Sequence, residues 1–373
     1  MKRLSLFLGM LLLLTSQLSA QDFDNGMEAY ERGEYETAFE QLYPLAEQGH
    51  ALAQHNLAVM YAEGRGVSQD YVEAAKWHSK AAEQGIAESQ FNLGWRYTEG
   101  VGVPQDRAAA MEWYRKAAEH GHSMAQHNLG TAYSEGRGVP QDFVKAAKWL
   151  RKAAEQGEAQ SQYSLGVAYG LGQGLSQDPA AALKWYRKAA EQGVAEAQHN
   201  IGVAYNEGRG LPQDRAKALE WYRKAAEQGL AESQFNLGVA YNEGRGVAQD
   251  YLEAMKWYRK AARQGHATAQ NNLGAAYSEG RGVAQDHATA MEWFRKAAEQ
   301  GLPQAQTNLA KSYGLGQGVP QDYIKAHKWS NLAAAQGHEG ASQIRNTLGI
   351  YMTSDQIAEA QRLAREWTEQ HQQ

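Results

Sequence analysis

The sequence predicts an all-α solenoid built from helix–turn–helix repeats of 36 residues, and three observations carry that prediction. Beyond residue 48 glycines recur at one interval, from Gly49 and Gly85 through Gly121, Gly157, Gly193, Gly229, Gly265 and Gly301 to Gly337, without insertion or deletion. Tryptophans keep the same interval at Trp77, Trp113, Trp149, Trp185, Trp221, Trp257, Trp293 and Trp329. Between these markers apolar residues follow helical spacing. A fixed period of this size marks an architecture whose units cannot bury their apolar faces alone, so that stacking builds one continuous core.

In chain order, residues 1–20 read as a secretory signal. Lys2 and Arg3 precede an apolar run from Leu4 to Leu14 and the small-residue site Leu18-Ser19-Ala20. Cleavage after Ala20 leaves Gln21 as the expected start of an exported chain, periplasmic or secreted. No later stretch reaches the roughly 18 apolar residues of a membrane span, so no retained anchor is expected. Residues 21–49 form an acidic N-terminal cap, with eight carboxylates against Arg32. Eight repeats then fill 50–337, and residues 338–373 are C-terminal capping helices. There Thr353 and Gln356 fit a capping box, and Ile357, Ala360, Leu363 and Trp367 make an apolar stripe.

Within the first repeat, Ala53, Leu57 and Tyr61 lie on one face of a helix (helix A) that Gly64 and Gly66 end. Asp70, present in all eight repeats, caps a second helix (helix B) whose buried stripe is Ala74, Trp77 and Ala81. In the fourth repeat Asp178 is followed by Pro179 at the favoured first helical position. The column of Gly94 admits a neighbouring helix closely. Pairs such as Arg115-Lys116 and Arg187-Lys188 fall on the later turns of helix B, where positive charge suits the helix dipole, and read as a solvated face.

Composition narrows the chemistry. With 37 Lys and Arg against 42 Asp and Glu there is no surplus charge for a polyanion, so nucleic acid is not an expected partner. The absence of cysteine removes disulfides, thiolate metal sites and cysteine nucleophiles. No Ser-x-x-Lys, Gly-x-Ser-x-Gly or His-Glu-x-x-His occurs. His120, His122 and His127 are the one tight histidine cluster, but they span a helix end, a turn and a surface position, so no metal or other cofactor is expected.

Residues 195–214, AEAQHNIGVAYNEGRGLPQD, followed by Ala218, Trp221 and the run KAAEQG from Lys224, resemble Sel-one-like repeats, relatives of the tetratricopeptide repeat. The resemblance covers nearly all of the chain beyond residue 20. It implies a right-handed solenoid without catalysis of its own, acting as an adaptor for protein complexes, with the exposed arc of helix A lining a concave groove. Some exported bacterial members bind or slowly hydrolyse β-lactams, and those carry a cysteine pair in each repeat. A cell-wall or β-lactam-active hydrolase is therefore the second reading.

A helical wheel at about 100° per residue sets columns 52, 55, 59, 62 and 63, numbered by the first repeat, opposite Ala53, Leu57 and Tyr61 and so in solvent. Column 55 reads His55, Phe91, His127, Tyr163, His199, Phe235, Asn271 and Thr307, while column 53 alternates Ala53, Ser89, Ala125, Ser161, Ala197 and Ser233. With Trp95 from column 59, the first six members of column 55 form the expected partner-binding ladder for a protein or peptide. Duplication of a two-repeat or four-repeat block would leave the same alternation without function: Ala87-Glu-Ser-Gln-Phe-Asn-Leu-Gly recurs at Ala231, 144 residues on.

Overall fold

A computed structural model describes residues 21–371, so the expected signal sequence lies outside the described residues. The chain divides into two compact units, one ending at Lys188 and one beginning at Ala189. All elements among the described residues are helical. In the first unit α1 (21–31) and α2 (Tyr35–Glu47) precede the A–B pairs α3 (Ala51–Glu63) with α4 (Tyr71–Glu83), α5 (Ala87–Glu99) with α6 (Arg107–Glu119), and α7 (Ser123–Glu135) with α8 (Phe143–Glu155). Then come α9 (Ala159–Leu171) and α10 (Pro179–Glu191), inside which the division falls. The second unit holds α11 (Ala195–Glu207) with α12 (Arg215–Glu227), α13 (Ala231–Glu243) with α14 (Tyr251–Arg263), α15 (Ala267–Glu279) with α16 (His287–Glu299), and α17 (Pro303–Leu315) with α18 (Tyr323–Ala335). Two helices close it, α19 (Glu339–Gly349) and α20 (Ser354–His371).

Within each unit A helices pack on their own B helix, as α5 on α6 and α13 on α14, and on the B helix before, as α5 on α4 and α13 on α12, which is the neighbour-to-neighbour contact of a solenoid. Leu57, Leu93, Leu129 and Leu165 in the first unit, and Ile201, Leu237, Leu273 and Leu309 in the second, are fully buried along this seam. Each contributes about 1.5–3 kcal/mol relative to an exposed side chain. Asp70 Oδ1 accepts hydrogen bonds from the Val72 and Glu73 amides at 2.8 and 3.0 Å, and its counterparts through Asp322 cap every B helix of the repeats in the same way.

Two glycine columns have steric reasons. At Gly66 a Cβ would stand 2.2 Å from the Tyr35 carbonyl oxygen, because the loop of each repeat lies on the first residue of the preceding B helix. At Gly94 a Cβ would stand 2.8 Å from the Tyr114 ring, and Gly202 meets Tyr222 in the same way at 2.6 Å. Helix A gives up a side chain so that a large residue of helix B can enter.

The tryptophan column departs from the expected stripe. Trp77, Trp257 and Trp329 are buried, but Trp113, Trp149, Trp185, Trp221 and Trp293 are half-buried. The column sits at the edge of the seam, where a lysine covers the outer ring face: Lys80 over Trp77 at 3.7 Å, Lys116 over Trp113 at 3.9 Å, Lys188 over Trp185 at 4.4 Å. The basic pairs are thus engaged in packing as well as solvated, and the preceding arginine in several repeats donates to a tyrosine hydroxyl of the next repeat, as Arg223 does to Tyr241 at 2.6 Å. At the C-terminal end the Thr353–Gln356 capping box forms, and Trp367 of α20 packs edge-on against Trp329 at 6.0 Å, closing the last repeat.

Candidate functional site

Column 55 does not lie in open solvent. Its members are half-buried, and Thr307 is fully buried, because helix A has a neighbour on two sides and the next repeat begins over this column. A single-helix wheel sees only one packing face. The expected exposure of His55, Phe91, His127, Tyr163, His199 and Phe235 is therefore corrected; of the ladder only Trp95, at 44%, is exposed.

The contacts explain the alternation. Nδ1 of His55 is 2.8 Å from Oγ of Ser89, 34 residues on in the next repeat, and His127–Ser161 and His199–Ser233 repeat both the spacing and the distance. Each of these serines is 0% exposed, so its hydroxyl needs an internal partner. Where column 55 is phenylalanine, the residue 34 positions on is alanine: Ala125 after Phe91 and Ala269 after Phe235. There the ring stacks instead on the histidine that caps the next A helix, Phe91 on His122 at 4.4 Å and Phe235 on His266 at 4.6 Å. Those histidines accept from the Ala125 and Ala269 amides through Nδ1. Phe23 on His50 opens the series in the cap.

Electrostatics follow burial. Desolvation holds His55, His127 and His199 below the ordinary histidine value, with Glu88, Glu158 and Glu232 respectively pulling the other way. His78 is pushed down to about 3, first by burial and then by His55 and Arg96. It stands where other repeats carry Tyr114 or Tyr222, and its Nδ1 is 3.3 Å from Ser89 Oγ. A serine flanked by imidazoles suggests a nucleophile, but Ser89, Ser161 and Ser233 are sealed from solvent, so no substrate reaches them.

The three clustered histidines go to separate partners: His120 to Gln90 Oε1 at 2.8 Å, His122 to Glu88 and the Ala125 amide, His127 to Ser161. Among the described residues no group of three potential ligands converges on a metal position, and no helix is long and apolar enough to cross a membrane. Sequence reasoning missed a second buried column, Gln54 and its counterparts. Gln54 Nε2 donates to the Ala46 carbonyl of the preceding helix while its Oε1 accepts from Gln84, and the pattern recurs through Gln306 and Gln336. Its signal was an amide repeated beside the buried stripe in all eight repeats.

Two neighbouring clefts open on the helix-A side of the first unit, while another, of about 360 Å³, lies between α18 and α20 in the second. A cleft of about 540 Å³ is walled by Trp95, Arg107, Met111, Tyr114, His127 and Arg137, among others. A second, of about 210 Å³, is walled by Phe143, Leu150, Tyr163 and Val167, and Thr131 belongs to both. Two ladder residues, His127 and Tyr163, thus show one edge each to a cleft, and Trp95 stands at the wall of the larger.

Comparison with known proteins agrees with this architecture. The Sel1 repeat family matches eight consecutive segments, 51–86, 87–122, 123–158, 159–194, 195–230, 231–266, 267–302 and 303–338. A protective antigen, c5321, present in uropathogenic Escherichia coli strains and displaying an SLR fold, is 35% identical with a TM-score of 0.67, covering 95% of this chain and 85% of its own. A Sel1 repeat protein from Oxalobacter formigenes is 35% identical with a TM-score of 0.66, covering 83% and 90%. An exopolysaccharide production negative regulator from Rhizobium leguminosarum bv. viciae is 45% identical over 58 residues, which is 16% of this chain and 22% of that protein.

Proposed function

Because the chain belongs to the Sel1 repeat family, whose members generally serve as protein–protein interaction scaffolds, we propose that it is an exported scaffold that holds a protein or peptide partner on the helix-A side of its repeats. The observation that carries this reading is the pair of adjoining clefts along α5, α7 and α9, where helix-A side chains, Trp95 foremost, line openings to solvent. Export rests on the character of residues 1–20. The histidine-paired serines Ser89, Ser161 and Ser233 are buried and the chain has no cysteine, so neither group supports the hydrolase reading.

The test joins both parts. Intact-mass analysis of envelope and cytosolic fractions should find the chain beginning at Gln21 in the envelope; a full-length cytosolic product removes export. Affinity capture with the exported form should enrich one partner, and Trp95→Ala together with Tyr163→Ala should lose it. Equal capture by both forms places the partner elsewhere on the molecule.

A further inference from the structure

We propose that the two clefts flanking α7 read an extended peptide, with a carboxylate side chain seated on Arg107 beside Trp95 and an apolar side chain about three residues along in the Phe143–Tyr163 cleft. This rests on the scaffold reading and gives it a partner chemistry.

The argument starts from Arg107. It is exposed at the first position of α6, lines the larger cleft, and has no carboxylate within ion-pair distance among the described residues. Neighbouring Asp106 is spent on the Ala108 and Ala109 amides at 2.9 and 3.0 Å. In the N-terminal cap the equivalent position, 72 residues earlier, holds Tyr35, over whose ring the loop residue Arg65 lies at 5.3 Å. Two repeats on, the loop residue is Arg137 and the helix begins with Arg107, so a cation stands where the aromatic partner was. Arg137 is ion-paired with Glu135, which leaves Arg107 as the uncompensated charge.

Trp95 adds the second feature. Column 59 otherwise holds Val59, Thr131, Val167, Val203, Val239, Ala275 and Lys311, so this exposed indole is peculiar to the cleft that contains Arg107. An aromatic face beside a guanidinium suits a carboxylate carried on an apolar stem. The adjoining cleft is different in kind: Phe143 replaces the arginine, and Leu150, Tyr163 and Val167 complete an apolar wall. The two share Thr131 and are separated by one helix width, about 8–10 Å, which a chain in the polyproline II conformation spans in about three residues with both side chains on one face. Glu99 also lines the larger cleft and opposes an acidic ligand there, so the carboxylate is confined to the Arg107 side.

The probes are the peptides acetyl-AEAALA-amide and acetyl-ALAAEA-amide, one for each chain direction, titrated calorimetrically into residues 21–373. One direction should bind, and replacing its Glu by Gln or its Leu by Ala should weaken binding at least tenfold. Arg107→Ala and Trp95→Ala should each do the same with an unchanged melting temperature, since both side chains are exposed; Glu99→Gln should strengthen binding. No binding of either peptide at millimolar concentration, or equal binding of the Glu and Gln forms, overturns the proposal. If a captured partner binds wild type and Arg107→Ala alike, the scaffold reading stands and this one falls.

Discussion

Nδ1 of His199 lies 2.8 Å from Oγ of Ser233, across the seam between two successive repeats, and the pair is half of a two-letter packing code. A histidine in column 55 meets a serine in the next repeat; a phenylalanine meets an alanine and stacks on a capping histidine. Mixing the letters leaves a buried polar group alone or forces a ring against a hydroxyl.

The first prediction is a double-mutant cycle on that pair. Ser233→Ala strands the His199 imidazole and His199→Phe strands the Ser233 hydroxyl, each costing about 1–3 kcal/mol. The double variant recreates the Phe91–Ala125 pairing, with Leu230 where His122 stands under Phe91, and should recover part of the loss. Urea unfolding checks it, and additive single losses would show that the two side chains do not act as a pair.

Helix ends were legible in the sequence because each is decided locally, the start of α4 by Asp70 accepting from the Val72 and Glu73 amides and the end of α3 by Gly64 in the left-handed region. The coupled alternation of columns 53 and 55 was visible too, yet its meaning was not. The partner of His55 lies 34 residues away, and a wheel drawn on one helix has no place for the helix that follows. Trp95 read correctly as exposed because nothing from the next repeat closes over it as it does over column 55. The cleft around it needed Arg107 and Arg137, which come from a helix start and a loop and share no periodic column.

The second prediction concerns acid. His55, His78, His127 and His199 titrate lower when folded than the ordinary value near 6.5 they regain when unfolded. Below about pH 6.5 the unfolded chain therefore binds more protons, and stability falls as pH drops toward the folded-state values. Glu88, Glu158 and Glu232 moderate this at three of the four sites. The melting temperature should decline between pH 7 and pH 5, before the capping aspartates protonate. His199→Phe with Ser233→Ala should flatten that decline, and an unchanged slope would show that the histidine latch is not the sensor.

The third prediction separates the tryptophans. Trp257 is buried against Ala218, Tyr222 and Leu237, so Trp257→Ala should cost about 3–5 kcal/mol. Trp185 is half-buried with Lys188 over its ring, and its removal should cost distinctly less, about 1–3 kcal/mol. Equal losses in denaturant titrations would mean that burial in the column does not govern its energetics.

The last prediction sets the code against chain length. Deleting residues 87–122 removes one repeat and brings His55 opposite Ala125, leaving a half-buried imidazole without its serine. Deleting residues 87–158 removes two repeats and brings His55 opposite Ser161, which restores the letter. In a solenoid whose stability is a sum over repeats and seams, the longer deletion should be the weaker protein by one further repeat. If the seams are coded, the mismatch of about 1–3 kcal/mol in the shorter deletion works against that trend. The two-repeat deletion should then melt no lower than the one-repeat deletion, and in the one-repeat deletion Ala125→Ser should raise the melting temperature by giving His55 a partner. A two-repeat deletion that melts well below the single one, with Ala125→Ser neutral, would show that the alternation of columns 53 and 55 contributes nothing to how the repeats choose their neighbours.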